Sequence, residues 1–319
     1  MFHRALAIAL TLATGLAAAQ TPYPSKPIEF VVSSQPGGAA DVLTRLIGSK
    51  LSEALGQPYV VTYKPGAGAN IGPEYAAKAL ADGHTLLLSF AGMTVSPSLY
   101  PNLRYDPVKD FAPVSLIAKA PLVLVVTPKV EARSIPEFVA YAKANPGKVT
   151  LGHAGNGTAQ HLGGLLFASA AGIDVLQVPF NGSSSVTTAL LSDVVDAQFD
   201  NMVSIMTQVK AGKLRPLGVS SSARLSALPG VAAIAESAVP GFEAGTWYGV
   251  VAPANTPQDV VNKLNREIVR IVGLPDVQAR LLELGLVPST NSPSEYAAMI
   301  RGDVERYAKA IKSGGIKLE

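Results

Sequence analysis

Ile28-Glu29-Phe30-Val31-Val32 leads, through the joint Gln35-Pro36-Gly37-Gly38-Ala39-Ala40-Asp41, into an amphipathic run that ends at Leu55. The first five residues have the β-branched and aromatic character of a strand. From Asp41 to Leu55 the apolar residues Val42, Leu43, Leu46, Ile47, Leu51, Ala54 and Leu55 fall on one face of a helix, and Gly56 is its stop signal. Moving outward, Tyr59 to Tyr63 reads as a second strand, Pro73 to Leu80 as a helix and Leu86 to Phe90 as a third strand. Strand and helix alternate, which predicts an α/β fold with a mostly parallel sheet covered on both faces.

A second unit of the same kind follows. Strands are expected at Leu122 to Thr127, Val149 to Leu151, Ala197 to Phe199 and Arg215 to Val219, with helices from Ser134, from Thr158 to Ala170 and from Ser183 to Leu191. Ser134-Ile135-Pro136-Glu137 is a capping box. Trp247 to Ala252 is again a strand. Thr256 caps a long helix through Ile271, and Ser292-Pro293-Ser294-Glu295 caps the last one. With 319 residues the chain is too long for one ordinary core and suits two lobes. No flexible linker separates them, so the chain crosses in extended strands, with Leu116 to Val126 and Tyr248 to Ala252 as candidates. The expected division is 20–121 with 247–319 as one lobe and 122–246 as the other.

Residues 1–19 read as a cleaved secretory signal. Met1-Phe2-His3-Arg4 is a short basic start, Ala5 to Leu16 is apolar and too short to span a bilayer, and Ala17-Ala18-Ala19 precedes Gln20. The expected location is therefore the periplasm. Cys is 0, which excludes disulfides, thiol catalysis and cysteine metal sites. The net charge of +3 is small and the basic residues are scattered, so nucleic acid is not an expected partner.

Four joints are rich in small polar residues: Gln35 to Asp41, Gly66-Ala67-Gly68-Ala69-Asn70-Ile71-Gly72, Gly155-Asn156-Gly157-Thr158, and Asn181-Gly182-Ser183-Ser184-Ser185. In a parallel sheet such joints lie at the carboxyl ends of strands, where ligands bind. Glycine lets backbone approach a ligand, and the helix that follows offers unpaired N–H groups and a partial positive charge. Each such terminus favours an anion by about 0.3–1 kcal/mol. None of the four contains Lys or Arg, which fits capture of a carboxylate by backbone. The Gly66 joint is G-x-G-x-x-x-G, not the dinucleotide fingerprint, and there is no P-loop. No cofactor, metal or catalytic group is expected. Beyond the signal the only histidines are His84, His153 and His161, no G-x-S-x-G is present, and no metalloprotease motif occurs.

The chain resembles the receptors of tripartite tricarboxylate transporters, the Bug family. The matching stretches are Pro36-Gly37-Gly38 with Asp41; Pro65-Gly66-Ala67-Gly68 with Asn70-Ile71-Gly72; Asp82-Gly83-His84-Thr85-Leu86; Gly155-Asn156-Gly157-Thr158 with His161-Leu162; Val178-Pro179-Phe180; and Phe199-Asp200-Asn201. The resemblance implies a type II periplasmic-binding-protein fold with two lobes and a hinged cleft. It implies a carboxylate ligand held partly by backbone amides, membrane permease subunits as partners and a monomer. On that pattern Gln35, Pro36, Gly37, Gly38 and Ala39 form one wall of the cleft. Phe90, Ala91 and Gly92 form a second strip, and Asn156, Gly157, Thr158 and His161 close from the other lobe beside Phe180, Asn181 and Asp200. Ser34 stands where the family often has an aromatic residue, and Asn181 where it often has Lys; both bear on which ligand fits.

Single residues keep two roles open. Asp41 caps its helix or accepts a hydrogen bond from the ligand, and Asp200 faces the same choice. His161 orients a loop or touches ligand, and Phe90 and Phe180 are core or an aromatic wall. Trp247 suits hinge or core packing. Two other functions fit the same chain: presentation of ligand to a membrane sensor, and a secreted hydrolase using Ser183, Ser184 or Ser185 with His161.

Overall fold

A computed structural model describes residues 23–34, 36, 39–180 and 183–313. Among these the chain runs β1 (Ile28–Val32), α1 (Ala39–Leu55), β2 (Tyr59–Tyr63), α2 (Ile71–Ala77), β3 (Thr85–Phe90), α3 (Gly92–Leu99) and β4 (Phe111–Val126). It continues through α4 (Ile135–Ala144), β5 (Thr150–His153), α5 (Ala159–Ala171), β6 (Leu176–Pro179), α6 (Ser183–Leu191), β7 (Ala197–Asn201), α7 (Met202–Lys210), β8 (Arg215–Val219) and α8 (Ile234–Ser237). Last come β9 (Gly245–Pro253), α9 (Gln258–Val272), α10 (Pro275–Glu283), β10 (Val287–Pro288) and α11 (Pro293–Ser313).

The strands form one curled sheet in the order β2-β1-β3-β9-β4-β7-β5-β6, with β8 and β10 also paired to β4. β1, β2 and β3 are parallel, as are β5, β6 and β7. β9 runs antiparallel to β3 and β4, and β4 antiparallel to β7. Both faces of the sheet are buried, which explains the near-continuous apolar runs. On β1, Ile28 and Phe30 join one core with Leu43, Ile47 and Leu264, while Val31 joins the opposite core with Trp247 and Tyr296. On β4, Leu122 and Leu124 pack with Phe138 and Phe199, and Val123 and Val125 pack on the other face with Leu190 and Ile205.

β4 links the two halves. Its Phe111 to Pro121 pair with β9, and its Leu122 to Val126 with β7. The expected crossing at Leu116 to Val126 thus lies on one continuous strand. β9 does not cross: its whole length pairs with β3 and with the first part of β4. The return passes just before it, where Ala244 N donates to Ser220 O and Gly245 takes φ +136. A Cβ at Gly245 would collide with the Ala120 carbonyl, so only glycine lets the chain pass so close. Ser220 ties the strands here: its hydroxyl accepts from Leu122 N at 2.7 Å and donates to Ala244 O at 2.5 Å.

Two helix starts differ from expectation. α2 begins at Ile71 and ends at Ala77, because Lys78 N and Ala79 N bond to Tyr75 O and Ala76 O, three residues back, and tighten the chain into a turn. Thr256 does not cap α9; its hydroxyl donates back to Pro253 O at 2.8 Å and the helix starts after Pro257 without a side-chain cap. The box at Ser292 forms fully, with Glu295 N to Ser292 Oγ at 3.3 Å and Ser292 N to Glu295 Oε2 at 2.8 Å.

Candidate functional site

The pairing register places the strand ends relative to one another. Phe90, at the end of β3, lies opposite Tyr248, which lies opposite Ala118 of β4. Asn201, at the end of β7, lies opposite Leu122. Four residues of β4, about 13 Å of extended chain, separate the two levels. The carboxyl ends of β3 and β7 therefore converge on the crossing from opposite directions. α3 and α5 complete the approach: Leu162 packs with Val95 and Leu99, and a Cβ on Gly157 would lie 2.7 Å from Leu99 Cδ1.

In the first half, Gln35, Gly37 and Gly38 lie outside the described residues, Pro36 is exposed, and Ala39 opens α1. Ser34 is half-buried and Ser33 buried; neither hydroxyl has a hydrogen-bond partner among the described residues. Asp41 is buried in the first turn of α1. Its Oδ1 accepts from Tyr63 Oη at 2.6 Å and from Arg45 Nε at 2.8 Å. That pairing ties α1 to β2. The Phe90 ring folds over Gly92, leaving no room for a Cβ there. Ala91 is buried and its carbonyl accepts from the Thr94 hydroxyl at 2.7 Å.

In the second half, Gly155 and Gly157 both have positive φ, and Asn156 between them is exposed. Thr158 caps α5: its hydroxyl accepts from His161 N at 3.4 Å and donates to Gly155 O at 2.7 Å. His161 is buried, and its Nδ1 accepts from Gly157 N at 3.1 Å, which makes it the neutral tautomer protonated at Nε2. It stacks on His153, with centroids 3.9 Å apart. Burial, then repulsion from His153, pushes the His161 pKa down to about 4. Burial also lowers His153, against a backbone hydrogen bond with Gly155.

Asp200 is 1% exposed and organises the same half. It accepts from Gln160 Nε2 at 3.2 Å, Gln198 Nε2 at 3.3 Å, Asn201 N at 2.7 Å and the Ser183 hydroxyl. It thereby joins α5, α6 and β7. Phe180 is half-buried against Gly152, its N–H bonded to His153 O, while Asn181 lies outside the described residues. Asn201 had only been part of a matching stretch, yet it is half-buried at the start of α7 and makes no side-chain cap. No side chain caps α3 either. Gln160, Gln198 and Tyr63 were also missed, since nothing in their local sequence marks them.

Residues 43–316 match the family described as tripartite tricarboxylate transporter family receptor. The chain belongs to that family. The receptor is 40% identical to a UPF0065 protein from the tcbD-tcbE intergenic region of Pseudomonas sp. strain P51, over 96% of this chain and 91% of that one. It is 36% identical to BugT of Bordetella pertussis, over 93% and 92%. Among solved structures, a ligand-free TctC solute-binding protein from Polaromonas superposes with TM-score 0.83 at 25% identity, over 91% of this chain and 99% of that one. An R. palustris protein with adipate gives 0.74 at 32%, over 93% and 100%. MatC from Rhodopseudomonas palustris with bound malate gives 0.70 at 30%, over 91% and 100%. The receptor thus has the two-lobed α/β fold of solute-binding proteins, and its family consists of receptors for small anions.

Proposed function

We propose that the receptor works in the periplasm, where it captures a small organic carboxylate between its lobes and delivers it to the permease subunits of a tripartite transporter, without chemical change. The lobes divide at the β4 crossing, with 20–121 and 247–319 on one side and 122–246 on the other. The observation that carries the reading is the convergence of strand ends on the crossing, with α3 and α7 starting there uncapped by side chains. Ser34, Phe90 to Gly92, Gly157, Thr158 and Asn201 border that space, and Gln35 to Ala39, Asn156, Phe180 and Asn181 are assigned to it from the sequence. His161 and Asp200 act one step back, holding the loop and the helix starts. Adipate and malate in the related structures support a carboxylate.

The superposition supports an open arrangement. Similarity in shape runs against identity: the ligand-free structure fits better at 25% than the two ligand-bound ones at 30–32%. Binding would then draw the lobes together, driven by the ligand's higher affinity for the closed state. A hydrolase would need His161 as a base, but its Nδ1 is held by a backbone N–H and the Ser183 hydroxyl donates to Asp200.

A thermal-shift screen of the protein from Gln20, stripped of carried ligand, tests this with a panel of carboxylates, amino acids and sugars. A ligand at about 100 times its Kd stabilises by about 2.7 kcal/mol, a rise of several degrees. Selective shifts with one carboxylate class are expected. Shifts only with uncharged solutes would overturn the carboxylate assignment.

A further inference from the structure

A second cavity, of about 240 Å³, sits at the crossing itself. It shares no lining residue with the candidate carboxylate site. Its walls come from β4 at Lys119 and Pro121, the loop 220–225 after β8, the return segment 243–247, and α11. The volume lies below the roughly 300–1,000 Å³ of drug-sized pockets, so it suits a compact, ring-sized molecule. Leu225, Trp247, Val287 and Met299 supply an apolar lining.

The charges around it are already paired. Lys119 Nζ lies 3.1 Å from Glu243, Arg306 Nη2 lies 2.9 Å from Asp303, and Arg224 Nη2 lies 2.6 Å from Glu236. Burial alone would raise the Glu243 pKa, but hydrogen bonds from Ser222 and Lys119 outweigh it and hold the carboxyl below its usual range. An incoming ion would meet no uncompensated partner. One polar group is left over: Arg306 Nε is buried and has no acceptor among the described residues. A buried donor in that state is costly until something accepts from it.

We propose that this cavity is a second ligand site, which takes a compact uncharged molecule with an apolar body and one acceptor for Arg306 Nε–H. It differs from the cleft in both position and ligand charge, and it stands even if the cleft ligand is not a carboxylate. The site carries its own reporter. Trp247 is the one tryptophan in the chain, lines the cavity, and donates its indole N–H to Asp303 at 2.7 Å.

The test is a titration of the ¹⁵N-labelled protein with benzamide, whose carbonyl is the acceptor, following the single indole N–H resonance. A saturable shift is expected, with nuclear Overhauser contacts between the benzamide ring and the indole. Ser221→Phe, which places a ring at the mouth, should weaken the apparent affinity at least tenfold. No saturable shift, or a shift without ring-to-indole contacts, overturns the proposal. So does an unchanged affinity in a folded Ser221→Phe protein, and the contacts in the wild type decide the matter if that variant does not fold.

Discussion

Asp41 and Asp200 are both buried carboxylates near strand ends, one in each half, and they are stabilised in different ways. Asp41 is paired with a cation, Arg45, and with the Tyr63 phenol. Asp200 is satisfied by neutral donors from Gln160, Gln198, Ser183 and the Asn201 backbone. The Arg45 side chain is 56% exposed, so solvent and salt screen its pairing. Asp200 is 1% exposed, and every donor around it depends on it. The first half can lose one partner and rehydrate the rest. The second half is a closed set, stiffer and more easily broken, which suits a wall that must keep its shape while the lobes move.

The largest expected effect comes from breaking that closed set. Asp200→Ala leaves several buried donors without an acceptor and should lower stability by about 3 kcal/mol, read as a drop in the urea midpoint at unchanged slope. Asp41→Asn, which keeps an acceptor for Tyr63, should cost clearly less. Equal losses would erase the contrast.

Acid sharpens the same contrast. His161 is held neutral in the folded state with its pKa at about 4, against 6.5 for an unperturbed histidine. Below about pH 6.5 the unfolded chain binds a proton that the folded chain does not. Stability from this residue is therefore full above pH 6.5 and falls as pH drops toward 4, by up to about 3 kcal/mol. His161→Gln should flatten that part of the curve in urea titrations at pH 7 and pH 4.5. An identical slope in both proteins would contradict the burial argument. The smallest effect is expected of Arg45→Gln: its melting temperature in physiological salt should match the wild type within scatter.

Much of the fold is legible from local pattern. β1, β2, α6 and β8 run over the residues that their apolar runs predict, because each is bounded by turn residues and filled from one neighbouring layer. α3 is hidden because Gly92, Thr94, Ser96 and Pro97 are poor helix formers, and Pro97 sits inside it. α7 is hidden because it follows β7 without a loop, so strand and helix merge into one run. The joints that border the site are legible through their glycines. The groups that hold those joints are not: Gln160 and Asp200 are forty residues apart, and the His153–His161 stack exists only once β5 and α5 pack.

Small-angle scattering of the stripped protein, alone and with the carboxylate that stabilises it most, tests the central claim most directly. The account predicts a smaller radius of gyration with ligand, as the lobes leave an arrangement that resembles a ligand-free relative. An unchanged radius at a concentration that saturates the thermal shift would contradict capture by closure between the lobes.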